Sequence, residues 1–269
     1  MSTRNDDLAS ALFIEGGERD PMRSAARGGR PVLPKRFYKK AEAAPAVGGF
    51  AVLLDGKPVR TPARGVLVLP TQALAQALAA EWDAQGESLD PNLMPLTRLA
   101  NSAIDGVASQ MAEVEADVVK YAGSDLICYR AGGPDSLVCA QAEAWDPLVQ
   151  FAREKCGARL ILCEGVTFHP QAPEALAAIA ARVRTHVGAG AAAPFRLAAL
   201  HAMTTLTGSC IVALATSLRE IDVEAGFTAA HVDEDHQMRV WGADAEAMAR
   251  RARRLDEMRA AARLSALAG

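Results

Sequence analysis

Phe50-Ala-Val-Leu-Leu-Asp-Gly-Lys-Pro-Val-Arg-Thr-Pro62 decides the fold class. Two strand-like runs flank Asp55-Gly56, and Asp-Gly in that setting is a strong short-range hairpin signal. Pro58 and Pro62 cannot donate to a ladder, so the second strand is expected at a sheet edge. Val66-Leu-Val-Leu69 reads as a third strand closed by Pro70, and a further short strand is expected near 87–89. Thr71 suits a helix N-cap. Leu74, Leu78 and Trp82 then fall at i, i+4 and i+8, which predicts a helix over 71–85 ended by Gly86. The segment after Phe37 is thus a small sheet with at least one helix against it.

Beyond Pro95 the apolar spacing is helical almost throughout. Met111, Val114, Val118 and Tyr121 form one stripe, Leu137, Gln141, Trp145, Leu148 and Phe151 another, and Leu176, Ile179, Val183 and Val187 a third. Arg159–Phe168 breaks the pattern and reads as a small hairpin. Leu197–Leu218 contains no Asp, Glu, Lys or Arg and has the length of a membrane span. His201 and its many threonines and serines make it only moderately apolar, so it reads as one central buried helix. The last helices are expected from about Asp222 to Arg239 and from Asp244 to the end. The fold class is α+β, with a tail at 1–34, a β-rich domain at 35–110 and a helical domain at 111–269. The tail is rich in Gly, Arg, Ser and Asp and reads as flexible, with one helical turn around Leu8–Ile14.

Composition narrows the function. The 269 residues are 50% apolar and 23% charged, which excludes wholesale disorder and a fibrous repeat. The 56 alanines favour helices with small-residue packing. A net charge of −3 argues against polyanion binding by the chain as a whole. Five cysteines without paired spacing point to free thiols in a reducing compartment. Acids within the first twenty residues fit neither a signal peptide nor a mitochondrial presequence.

No motif for catalysis stands out. There is no glycine-rich phosphate loop, so no cofactor is expected. His231-Val-Asp-Glu-Asp-His236 is the most polar cluster, but on a helix i and i+5 diverge by about 140°, which disfavours a metal site. Its acids form either a solvated face or a partner-contacting patch. Ser209, in Thr-Gly-Ser-Cys, reads as mid-helix rather than as a nucleophile, and His169, His186 and His201 read as structural. Arg250, Arg251, Arg253, Arg254, Arg259 and Arg263 make a basic last helix. With acidic neighbours and no interleaved aromatics, it reads as solvated. The rings of Trp82 and Trp145 read as core, with their flanking acids at the surface. Two other classes stay open on these residues: a nucleic-acid-associated module using the arginine-rich helix, or an enzyme using the 231–237 cluster.

The ordered set of phrases says more than any one of them. Lys35-Arg-Phe-Tyr-Lys39, Leu54-Asp-Gly-Lys-Pro-Val-Arg-Thr-Pro62, Glu81-Trp-Asp-Ala-Gln85 and Met94-Pro-Leu-Thr-Arg-Leu-Ala-Asn-Ser-Ala-Ile-Asp105 come first. Asp125-Leu-Ile-Cys-Tyr-Arg130, Trp145-Asp-Pro147, Leu206-Thr-Gly-Ser209, Asp233-Glu-Asp-His-Gln237 and Trp241-Gly242 follow. Together, over about 35–255, they resemble the ATP12 family, the assembly chaperones that attend the alpha subunit of the ATP synthase catalytic head. His236 departs from the pattern, where an aromatic residue is more usual. The resemblance implies a β-rich domain followed by an orthogonal helical bundle. It implies a non-enzymatic chaperone, bacterial and cytoplasmic, monomeric when free, with the alpha subunit as partner and neither nucleic acid nor membrane insertion involved. On that reading Asp233, Glu234, Asp235 and Gln237 are candidate partner-binding residues. Trp82, Trp145 and Trp241 are candidate structural residues, and no catalytic, cofactor or metal residue is expected.

Overall fold

A computed structural model describes residues 33–165 and 167–269. The expected helical turn at Leu8–Ile14 lies outside them. The chain forms two compact units, one of residues up to Ser109 together with Leu267–Gly269, the other Gln110–Ala266.

In the first unit, strands β1 (Ala41–Ala46) and β2 (Gly49–Leu54) pair antiparallel, from Ala41 opposite Leu54 to Ala46 opposite Gly49. On its other flank β2 pairs with β3 (Lys57–Pro58) and then with β4 (Val68–Leu69). Asp55 and Gly56 have φ of +48° and +81°, the left-handed pair that a two-residue hairpin turn needs. Gly49 is required where β4 crosses, because a Cβ there would lie 2.3 Å from the Leu69 carbonyl oxygen. The third strand is shorter than Val66–Leu69, because Val66 forms only an isolated bridge with Arg60. The strand expected near 87–89 is likewise a single bridge, Lys35 opposite Ser88.

Helix α1 (Gln72–Asp83) starts where Thr71 accepts a hydrogen bond from the Leu74 N–H. It lays Leu74, Leu78 and Trp82, all fully buried, against the sheet. Tyr38 donates its hydroxyl to the Trp82 carbonyl at 2.6 Å and packs edge-on to the indole. Helix α2 (Pro95–Asp105) follows Met94, which offers no side-chain cap. Glu81 supplies one instead: its carboxylate accepts from the Leu96 and Thr97 N–H groups and the Thr97 hydroxyl, each at 2.8 Å. The expectation that both acids beside Trp82 are surface groups is therefore corrected for Glu81. It is drawn inward because the first N–H groups of a helix need acceptors. Asp83 stays 59% exposed, paired with Arg36.

The second unit is helical. It contains α3 (Met111–Ala122), strand β5 (Tyr129–Arg130), α4 (Asp135–Lys155), strand β6 (Cys163–Glu164), α5 (Pro173–Val187) and α6 (Ala193–Thr207). These are followed by α7 (Cys210–Ser217), α8 (Val223–Ala229), α9 (Val232–Trp241) and α10 (Ala245–Leu267), which ends in the first unit. The hairpin expected at Arg159–Phe168 is not formed. Instead β6 pairs parallel with β5, Tyr129 opposite Cys163, since these strands reach each other only through the fold.

The uncharged stretch Leu197–Leu218 is two helices rather than one. Gly208 takes the left-handed conformation that ends α6. Ser209 then caps α7 by accepting from the Val212 N–H at 3.0 Å, so it is not mid-helix. No helix among the described residues is long and apolar enough to cross a membrane. Helix α7 is buried at seven of its eight positions and contacts α3, α4, α6 and α8. The expected helix from Asp222 to Arg239 also divides, at Ala230–His231.

Asp125, with no exposure, joins the loop before β5 to the start of α7, accepting from the Ile127 N–H at 3.3 Å and the Ile211 N–H at 3.1 Å. Burial raises its pKa from 3.8 to about 6, against hydrogen bonds that lower it. Between those values the folded state holds a proton that the unfolded chain has released, so stability falls as pH rises through that interval and is level above it. Urea unfolding at stepped pH should show wild type losing stability relative to Asp125→Asn across that range, by up to about 1.4 kcal/mol per pH unit. A pH-independent difference would contradict the buried, protonatable carboxyl. Trp82→Arg should cost roughly 3–5 kcal/mol by burying a charge and removing the ring, read as insoluble protein or a much lower melting temperature.

A candidate partner-binding face

The first turn of α9 carries Asp233, Glu234 and Asp235. Three negative groups at a helix N-terminus are favoured by the helix dipole, but their fates differ. Asp233 is half-buried and accepts from Gln141 Nε2 at 2.7 Å, while Gln141 Oε1 accepts from the Ala131 N–H at 2.8 Å. Gln141 is itself 2% exposed, so a buried amide from α4 fixes this carboxylate. Asp235 forms a two-pronged pair with Arg251 of α10, whose Nη2 lies 3.0 Å from Oδ2 and whose guanidinium lies over the Phe227 ring.

Glu234 is left 60% exposed, with His231 Nε2 at 3.8 Å and the Arg251 charge close enough to interact with it. His231 is buried and stacked on Phe227. Its Nδ1 donates to the Phe227 carbonyl at 2.7 Å, because a carbonyl can only accept. Burial lowers the imidazole pKa, against the raising effect of that bond and of Glu234. A neutral imidazole does not cancel the Glu234 charge. Gln237, one turn on, is exposed. The structure therefore brings Asp233 and Asp235 into internal contacts and turns Glu234 and Gln237 outward.

Trp82 and Trp145 are buried as expected, and Trp145 donates Nε1–H to the Ala229 carbonyl at 2.7 Å. Trp241 departs from the structural role expected of it: it is 84% exposed. Gly242, at φ +91°, ends α9 immediately after it. The arginine-rich helix α10 is also less solvated than expected. Arg251 and Arg254 bond within the unit, and Met258, Ala261 and Leu264 have no exposure.

Beside the acidic turn lies a groove of about 710 Å³ between α4, α8, α9 and α10, with Ala140, Ala144, Val232, Met238 and Met248 in its lining. Helical periodicity does not say which elements would face each other, so the groove is not legible in sequence. Among the described residues no group of three or more His, Cys, Asp or Glu could hold a metal ion. His231 faces Phe227 and Glu234, and no described partner meets the buried His236 Nε2.

The ATP12 chaperone protein family matches residues 35–153. The crystal structure of Atp12 from Paracoccus denitrificans is 44% identical, covering 88% of this chain and 99% of that one, with a TM-score of 0.81. A variant of that protein with one aspartate changed to lysine aligns over 88% and 98% at the same identity, with a TM-score of 0.80. A protein of Agrobacterium tumefaciens, provisionally described as a chaperone, is 45% identical over 97% of this chain and 96% of its own, with a TM-score of 0.84. On the family match and on identity sustained across both units, this chain belongs to the ATP12 chaperone family, the assembly chaperones of ATP synthase.

Proposed function

We propose that this chain binds the unassembled alpha subunit of the F-type ATP synthase head, covers the surface intended for the beta subunit, and is displaced when beta arrives. A subunit awaiting its partner exposes an apolar interface that aggregates. Masking it keeps the subunit soluble, and release by mass action requires an affinity lower than that of the true neighbour. Neither nucleotide hydrolysis nor a cofactor is needed for such an exchange. The chain acts as a monomer in the cytoplasm, with Asp233, Glu234, Asp235 and Gln237 on the contacting face.

The observation that carries this reading is the acidic first turn of α9. Gln141 and Arg251 hold two of its carboxylates, and Glu234 stands out from that rigid base at 60% exposure. An exposed charge on a fixed frame steers a basic partner surface and sets register. Buried Gln141 and paired Arg251 make Asp233 and Asp235 supports for the turn as well as charges upon it.

Co-expression with the cognate alpha subunit should bring that subunit into the soluble fraction and co-purify it with this chain. Glu234→Lys should lower retention by roughly tenfold while the circular dichroism melt stays at the wild-type temperature. Asp235→Lys should lower both, because it strands Arg251. Wild-type retention by Glu234→Lys would remove this turn from the interface.

A further inference from the structure

His231 stands at the junction of α8 and α9, immediately before the first helical position of α9. Its ring is 3% exposed and lies against Phe227 of α8, with centroids 4.0 Å apart. Donation from Nδ1 to the Phe227 carbonyl fixes the tautomer of the neutral ring. Nε2 then carries the lone pair, and it is the ring atom that faces Glu234, with Oε2 at 3.8 Å. A lone pair and a carboxylate are both acceptors, so no hydrogen bond forms between them. The neutral ring therefore leaves the Glu234 carboxylate to solvent, which is the condition for meeting a basic partner.

The groups around the ring set its charge. Glu234, on the same helix, favours the imidazolium, as does the Phe227 carbonyl of α8. Arg251 and Arg254 of α10 oppose it. Both arginines are engaged, Arg251 with Asp235 and Arg254 with the Leu206 carbonyl of α6 at 2.6 Å. The dipole at the start of α9 also opposes a positive charge there. Burial is the largest influence and acts in the same sense, so the ring titrates below the ordinary histidine value and is neutral near pH 7. Protonation reverses its relation to Glu234, because Nε2 becomes a donor. A movement of about 1 Å then closes the 3.8 Å separation to hydrogen-bond distance and draws the exposed carboxylate onto the ring.

We propose that His231 is a proton-operated latch on Glu234: the neutral ring leaves the carboxylate free for the client's basic surface, and the protonated ring captures it and weakens the hold on the client. This rests on the reading of the chain as an alpha-subunit chaperone that uses Glu234, and it makes His231 a positioning residue for that contact. The effect is reciprocal by linkage. A client cation docked on Glu234 offsets the charge that favours the imidazolium, so a bound client lowers the proton affinity of His231. Binding is strongest above the pKa of the free ring and weakens as pH falls through it.

The test uses the full chain purified with the co-expressed alpha subunit and washed in steps from about pH 8 to about pH 5, scoring alpha retained per chaperone. Wild type should lose roughly three- to fivefold across the acid steps. His231→Asn keeps a residue suited to a helix N-cap and does not titrate in this range, so its retention should stay level. A fall in wild type that His231→Asn reproduces overturns the latch. Should His231→Asn fail to fold, the surface variant Glu234→Gln decides by residue-resolved NMR of the free chain. The His231 ring should titrate at a lower pH in Glu234→Gln than in wild type, and an unchanged titration overturns the latch. A wild-type chain that leaves alpha insoluble near pH 7 overturns the proposed function itself, whereas normal retention there that is indifferent to pH down to about 5 overturns the latch alone.

Discussion

The second unit depends on placing a carboxylate where water cannot reach. Helix α7 is buried at seven of its eight positions, so its first N–H groups must find acceptors within the protein. Ser209 satisfies one, and Asp125, from a loop far earlier in the chain, satisfies that of Ile211. Burying that carboxyl is unfavourable, as its raised pKa records. The position is tolerated because an unsatisfied helix end at the centre of the unit would cost a comparable amount. The first unit solves the same problem with Glu81, which closes the start of α2 where Met94-Pro95 offers no cap of its own.

From this frame the acidic turn takes its form. Helix α4 packs on both α7 and α9, and its buried Gln141 passes one hydrogen bond to the Ala131 backbone and another to Asp233. Helix α10 contributes Arg251 to Asp235 from the opposite side. The face is therefore rigid at its base and free at Glu234, a useful division for a chaperone. In the proposed binding, the fixed groups would hold register and the one exposed charge would meet a partner that must later leave.

Much of the first unit was legible in sequence because its signals are local. Asp55-Gly56 specifies its own turn through φ, and Thr71 caps the helix whose i, i+4, i+8 stripe follows it. The helical break at Gly208-Ser209 was also written locally, as a left-handed glycine followed by a hydroxyl cap, but the uncharged run around it read as a single helix. The β5–β6 pairing had no local signal, since it joins two-residue strands more than thirty positions apart. Trp241 shows the limit of composition: indoles are most often buried, yet this one lies on the last turn of α9, and its surroundings are set by where that helix ends.

The sequence by itself determined the α+β class, the family, and the location of an acidic cluster, because turn chemistry, helical period and the order of motifs are properties of neighbouring residues. Only the tertiary structure decided that Glu81 and Asp125 are internal caps, that Gln141 and Arg251 hold two of three adjacent acids, and that a groove with methionines in its lining lies beside them. Charge and hydrophobicity along a chain say which groups want partners. Which partners they obtain follows from distances between helices, and those exist only once the units have closed.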